Sequence, residues 1–331
     1  MTVHALTESI RVVPGCTIAA ATGSATADGR PLLMATSDDP FATRTRLVVD
    51  EGAARRFLAT QIVSPPPMVS WSNMHTRGVN DAGFAYVWSY VTPADEPNDE
   101  TAIGIPYYQF GRLVLAEATR IDDALDLLDR HPRAFHGNFL FADASGEICL
   151  VEVGTRSLHV AERTRDGAIG RTNHWTSERG RSVEDAALAC SSRHRYERVN
   201  ALLTDAWGRI DREMLMAICR DHAGRGEPAV GYSICAHGRP EQGDAWFGTV
   251  SSEVIEPATR TLWYCYGWPC GEAPDDPARQ PYQAHSWGAY LRFDLDRMAS
   301  GVQVTTDGRL TAGGWRYLAS LASREAATAL A

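Results

Sequence analysis

The sequence predicts an α+β fold in which largely antiparallel sheets stack against helices. Three observations point there. Elements run in the order strands, helices, strands, helices, strands. Successive strands are joined by short turn-forming links, and no regular strand–helix–strand alternation of a doubly wound parallel sheet appears. The 331 residues, 44% apolar and 22% charged, have the composition of a globular chain able to bury a large core. No repeat, low-complexity tract or linker-like segment divides them, so a single domain is expected.

Taken in order, "CTIAAATG" and "PLLMATSD" flank the turn-forming "SATADGR" and read as a hairpin that starts at Cys16. "RTRLVVD" and "PMVSWSN" are further strand candidates, set apart by "SPPP". "RGVNDAGFAYVWSYV" places an Asn-Asp-Ala-Gly turn before an aromatic, β-branched strand. "IPYYQFGRLVLAEA" and "IDDALDLLDRH" have helical apolar spacing, the second halted at Pro132. "GNFLFADASGEICLVEVGTRSLHVAER" is a strand, a turn at Asp143 to Gly146, and further strand. Two helices follow in "SVEDAALACSSRHRYERVNALLTDAW" and "DREMLMAICRDH". Strands return in "GTVSSEVIEPATRTLWYCYGW" and "AYLRFDLD".

Composition excludes several functions. A net charge of −9 argues against nucleic-acid binding, which needs a basic face. No apolar run reaches the roughly 18 residues of a membrane span, and "MTVHALTESIRVVPG" lacks the apolar stretch of a signal peptide. A cytoplasmic protein with no membrane partner is the expectation. All 32 basic side chains are Arg, so lysine Schiff bases, Ser-Lys dyads and a phosphate-loop lysine are excluded. The seven cysteines form no C-x-x-C pair and read as reduced, mostly buried thiols. The ten histidines are scattered, and "HPRAFH" spaces two of them badly for one metal ion. No metal and no cofactor are expected. G-x-S-x-G, H-E-x-x-H and G-x-G-x-x-G signatures are missing.

One stretch suggests chemistry. In "VVPGCTIAAATG", cleavage between Gly15 and Cys16 would leave a thiol and an α-amine on one residue. Such an amine titrates near ~7.7–8.0 and can take a thiol proton at neutral pH. In a chain without Lys, it is the only amine base on offer. Pro14 stiffens the approach, and Gly15 leaves its carbonyl open to attack.

"GCT" opening a hairpin, the "DG" turn, and the strand ending at Asp39 resemble the start of N-terminal nucleophile (Ntn) hydrolases of the acyl-CoA:6-aminopenicillanic acid acyltransferase type. "RGVNDAGFA", "GNFLFADASGEICLVEVG", "RTNHW", "SSRHRYERV", "YSICAH" and "GTVSSEVIEPATRTLWYCYGWPC" continue the likeness in order from Gly15 to Cys270. The choloylglycine hydrolase and penicillin V acylase branch is similar at the same points, and a cysteine dipeptidase branch shares the opening.

The resemblance implies a four-layer αββα sandwich, a propeptide over residues 1–15 and an Ntn domain over 16–331. It implies that Cys16 is the nucleophile and that Asp39 holds the α-amine. Asn80 and Asn173 would donate to the tetrahedral oxyanion, and Arg195 would lie against the nucleophile and tune its thiolate. Trp71, Trp88 and Trp175 stand near these residues in sequence and suggest an aromatic-lined pocket. The expected partner is a small amide or acyl donor, with or without an amine acceptor, and homo-oligomerisation stays open. Two positions depart from the relatives' pattern. "ATSDD" puts Thr36 and Ser37 where relatives often have Arg and Asn, and Ala236 follows "SIC" where many have Arg. These departures keep open an uncut, non-catalytic binding protein, and the shared opening keeps open a cysteine-dependent, dipeptidase-like hydrolase.

Overall fold

Alternation in the first hairpin sets the architecture. Strands β1 (Gly15–Gly23) and β2 (Gly29–Pro40) pair antiparallel, with Ile18 opposite Ala35 and Ala20 opposite Leu33. Opposed residues share a face of the sheet. Ile18, Ala20, Leu33 and Ala35 therefore point one way, and Ala19, Ala21, Leu32 and Met34 the other. Both sets are buried, so this hairpin lies inside the molecule and needs cover on both faces.

That cover is visible in a computed structural model that describes residues 15–40, 43–52, 54–63, 74–91, 104–177, 186–223, 233–237, 247–272 and 287–329. The hairpin is central in a six-stranded antiparallel sheet of order β10-β1-β2-β11-β12-β13. The added strands are β10 (Gly167–Arg171), β11 (Phe247–Glu256), β12 (Thr261–Tyr266) and β13 (Leu291–Asp294). A second, eight-stranded sheet runs β14-β3-β4-β5-β6-β7-β8-β9. It contains β3 (Arg44–Glu51), β4 (Arg56–Val63), β5 (Met74–Asn80), β6 (Ala85–Tyr90), β7 (Gly137–Ala142), β8 (Ile148–Val153), β9 (Leu158–Thr164) and β14 (Val302–Gln303).

Ile18 and Leu33 meet Leu47, Val79, Val87 and Leu140 of this second sheet. Burying each such side chain contributes about 1.5–3 kcal/mol. The outer face of the second sheet packs Phe57, Tyr86, Trp88 and Phe139 against helices α1 (Tyr107–Glu117) and α2 (Ile121–Arg130). The outer face of the first packs Ala19, Ala21 and Met34 against α3 (Ala186–Asp205) and α4 (Arg212–Cys219). The layers are helix, sheet, sheet, helix, as the αββα expectation requires. A further helix, α5 (Ala312–Ala329), brings Tyr317 onto Phe293.

Most of the expected elements are present. "PMVSWSN" falls outside the described residues. Strand β4 carries no sequence signal because Phe57 to Ile62 are buried on both faces, which removes the alternation of a half-exposed strand. Gly170 explains how α3 reaches the first sheet. A Cβ there would sit 2.7 Å from Val199, so only glycine permits that approach.

Candidate active site

Cys16 is the second residue of β1 and is 6% exposed. It stands opposite Ser37, and Gly15 opposite Asp38. Strand parity then sends the Cys16, Ser37 and Asp39 side chains into the space between the sheets, and Thr17, Thr36 and Asp38 toward α3. Two distinct groups of residues result.

Between the sheets, the guanidinium of Arg77, from β5, lies 2.5 Å from Glu253 Oε2. It also donates to Ser37 Oγ at 2.5 Å and to the Thr36 carbonyl at 3.4 Å. Arg77 and Glu253 are both fully buried. Burial pushes the Cys16 thiol up to about 12, with Arg77 the largest opposing influence and Asp39 and Asp38 adding to the rise. Burial also raises the Asp39 carboxyl to about 6, against the pull of Arg77. Thiol and carboxyl thus meet beside one buried cation.

On the helix side, the Cys16 backbone N–H donates to Asn173 Oδ1 at 2.8 Å. Arg195, on α3, donates to the Cys16 carbonyl at 2.6 Å, to Thr17 Oγ1 at 3.2 Å and to Asn173 Oδ1 at 2.9 Å. Its bonds go to a backbone carbonyl, an amide oxygen and the hydroxyls of Thr17 and Ser191, not to sulfur. The expected tuning of the thiolate therefore falls first to Arg77, and Arg195 acts as a clamp. Asn173 is itself fixed on all sides. Its Nδ2 donates to the Tyr90 carbonyl at 2.8 Å, and its N–H to Ser192 Oγ at 2.8 Å. Asn138 Nδ2 donates to the carbonyls of Thr172 and His174 on either side of it, at 2.8 and 3.2 Å.

Asp38 completes this side. Its Oδ1 accepts from Thr249 Oγ1 at 2.7 Å, while its buried Oδ2 has no hydrogen-bond partner among the described residues. Oδ2 lies against Gly15, where a Cβ would be 2.5 Å away. Burial raises this carboxyl to about 7, partly offset by Arg195 and by the Thr249 hydroxyl. Sequence reading passed over Asp38, Arg77 and Thr249. An Arg inside the strand "MHTRGVN" was the available signal for the second.

Three expectations are corrected. Asn80 does not approach Cys16. Its Nδ2 donates to the Leu115 and Ala118 carbonyls, and its Oδ1 accepts from the Ala82 and Phe84 N–H groups. Three residues on from Arg77, it projects from the opposite face of β5, toward α1. Trp88 lies in the core between the second sheet and α1, packed on Phe139 and Tyr90. Trp175 is buried, with its Nε1 donating to the Gly137 carbonyl. Neither tryptophan lines a described pocket. Trp71 lies outside the described residues. A cleft lined by Ala27, Arg30, Ile210, Arg212 and Glu256 contains none of the residues around Cys16, so it has no part in the site.

The described helices include none long and apolar enough to cross a membrane. The model of the family "Acyl-coenzyme A:6-aminopenicillanic acid acyl-transferase" matches residues 70–270. Among solved structures, a point mutant of conjugated bile acid hydrolase from Clostridium perfringens is similar over 89% of this chain and 98% of that one, with a TM-score of 0.53 and 12% identity. A second variant of that hydrolase gives the same coverages and identity at a TM-score of 0.51. Penicillin V acylase from Agrobacterium tumefaciens is similar over 76% of this chain and 83% of that one, at 13% identity and a TM-score of 0.48. No curated protein sequence matches the chain. At these identities the first two structures establish a shared Ntn-hydrolase fold.

Proposed function

The chain belongs to the acyl-coenzyme A:6-aminopenicillanic acid acyl-transferase family, and on that premise we propose that it is an autoprocessed N-terminal-cysteine enzyme. It cuts its own Gly15–Cys16 bond and then cleaves or transfers the acyl group of a linear amide through a Cys16 thioester. One observation carries this reading. The Gly15–Cys16 junction is buried on a central strand, with the Cys16 N–H held by Asn173 and an unpartnered carboxylate oxygen against Gly15.

In self-cleavage, Cys16 Sγ attacks the Gly15 carbonyl carbon. The thiol proton passes to Asp39, the carboxyl on the thiol's own face of the sheet. As the C–N bond breaks, Asp38 stands beside the junction to protonate the departing Cys16 nitrogen. Water then hydrolyses the thioester and releases residues 1–15. Asp38 and Asp39, raised to about 7 and about 6, are poised for proton transfer near neutrality.

The free α-amine then replaces the carboxylates as the base for Cys16. It inherits the hydrogen bond to Asn173 Oδ1, which Arg195 keeps aimed at it. In turnover, Sγ attacks the amide carbonyl and the oxyanion forms near the second Nδ2 hydrogen of Asn173. One such donor contributes about 2.7–4 kcal/mol of transition-state stabilisation. The α-ammonium protonates the leaving amine, and the acyl group passes to water or to a second amine.

Intact-mass measurement tests the proposal. The expected result is a chain lacking residues 1–15, together with an uncut, inactive Cys16→Ala variant. A wild-type chain that stays full length, alongside a Cys16→Ala variant that keeps full activity, overturns it.

A further inference from the structure

Four side chains spread between residues 222 and 270 converge at a place the reaction does not use. His222 follows the end of α4, Cys235 and His237 lie in the segment before β11, and Cys270 follows β12. Each offers one ligand atom, and the four atoms all lie within 4.8 Å of one another. His237 Nε2 is 3.6 Å from Cys235 Sγ and 3.2 Å from Cys270 Sγ. A zinc ion with bonds of ~2.3 Å to sulfur and ~2.0–2.1 Å to nitrogen needs tetrahedron edges of roughly 3.3–3.8 Å. The cluster is close to that size.

From this convergence we propose that His222, Cys235, His237 and Cys270 form a tetrahedral site for a structural Zn2+ ion.

The surroundings are those of a ligand set. Glu272 Oε2 lies 3.5 Å from His237 Nδ1, the carboxylate-behind-imidazole arrangement that turns Nε2 toward a metal. His237 also stacks on Trp268 at 3.8 Å with planes 7° apart, which fixes the ring. The Glu272 N–H points at Cys270 Sγ from 3.4 Å. The Asp221 carbonyl accepts from the Cys235 N–H at 3.0 Å, and the Arg220 side chain donates from Nε to the Pro269 carbonyl at 2.9 Å, so hydrogen bonds already join the three segments. With all four corners supplied by protein, the site is closed and structural, not catalytic. Binding removes one proton from each thiol, involves no redox change, and adds its free energy to folding.

The site also touches the catalytic apparatus. Ala236, between two ligands, donates its N–H to Thr249 Oγ1 at 2.9 Å and accepts the Thr249 N–H at 2.9 Å. Thr249 Oγ1 in turn donates to Asp38. A metal that fixes residues 235–237 therefore fixes the carboxylate beside Gly15. The absence of C-x-x-C and the poor spacing of "HPRAFH" predict no metal, because the four residues are divided among three segments of the chain.

The test is elemental analysis of full-length protein purified without chelator. Wild type and Cys16→Ala should each carry about one zinc per chain, and the Cys235→Ser/Cys270→Ser double variant less than ~0.1. Should that double variant fail to fold, cobalt-exchanged wild type answers instead. It should show tetrahedral d–d bands with thiolate-to-cobalt charge transfer. Wild type with free thiols, less than ~0.1 metal after growth in zinc and no cobalt bands overturns the proposal. So does a Cys235–Cys270 disulfide in a peptide map, or zinc retained in the folded double variant. Zinc content does not depend on cleavage at Gly15, so a zinc-loaded chain that never cuts refutes only the reaction.

Discussion

Asp38 presses a buried, unpartnered carboxylate oxygen against the α-carbon of Gly15, and its other oxygen is pinned by Thr249. A Cβ on residue 15 would stand 2.5 Å from Oδ2 and 3.1 Å from Asp38 Cβ. Gly15→Ala should therefore displace Asp38 and slow self-cleavage by tenfold or more. Overpacking of this kind costs about 1–3 kcal/mol. A time course of intact mass, read beside a thermal melt, checks both effects. Cleavage at the wild-type rate would show that the contact does not position the junction.

The same carboxylate makes a pH prediction. Its pKa rises from 3.8 in the unfolded chain to about 7 in the fold, so the folded state binds the extra proton between those values. Stability from this group is present below about 4 and is lost as pH rises through about 7, on the order of a few kcal/mol. Asp38→Asn should flatten the fall in urea midpoint between pH 4.5 and 7.5. An unchanged slope would mean that the carboxyl titrates elsewhere.

Arg77 and Glu253 form a fully buried ion pair, and Arg77 lies close enough to Cys16 to act on its thiol. Removing one partner strands the other charge, which costs about 3–5 kcal/mol. Arg77→Met should lose that much stability, and Arg77→Met/Glu253→Gln should regain most of it. Because Arg77 is the main influence lowering the Cys16 thiol, alkylation of Cys16 in the uncut double variant should be slower than in uncut wild type at one pH. Equal rates would move the tuning of the thiol to another group.

Strand parity explains what the sequence made legible. Turn residues and apolar alternation expose the hairpins, and ordered motifs single out Cys16, Asn173 and Arg195, which hydrogen bonds bring together. The resemblance gives Asn80 and Asn173 the same role, and only the face of β5 separates them. With Arg77 and Val79 directed at the first sheet, Asn80 must point away. Asp38 and Asp39 are adjacent in sequence yet serve opposite faces of β2, the same parity at work. Of the cluster near Trp268, Cys235 and His237 share one segment, but His222 and Cys270 reach them through tertiary packing, which no local period records.

Asn80 and Asn173 should consequently fail in different ways. Asn80→Ala removes four hydrogen bonds, two to carbonyls at the end of α1 and two that close the β5–β6 turn. It should cost about 1–3 kcal/mol of stability through the carbonyls and N–H groups left unpaired. Activity per folded molecule should hold. Asn173→Ala removes the acceptor for the Cys16 nitrogen and, in the proposed mechanism, a donor to the oxyanion. It should lower kcat by about 10²–10³, with KM changed little, and should also slow self-cleavage. Kinetics on samples matched for folded fraction by near-UV circular dichroism separate the two. If Asn80→Ala lowers kcat as far as Asn173→Ala does, the site must be redrawn with β5 turned over.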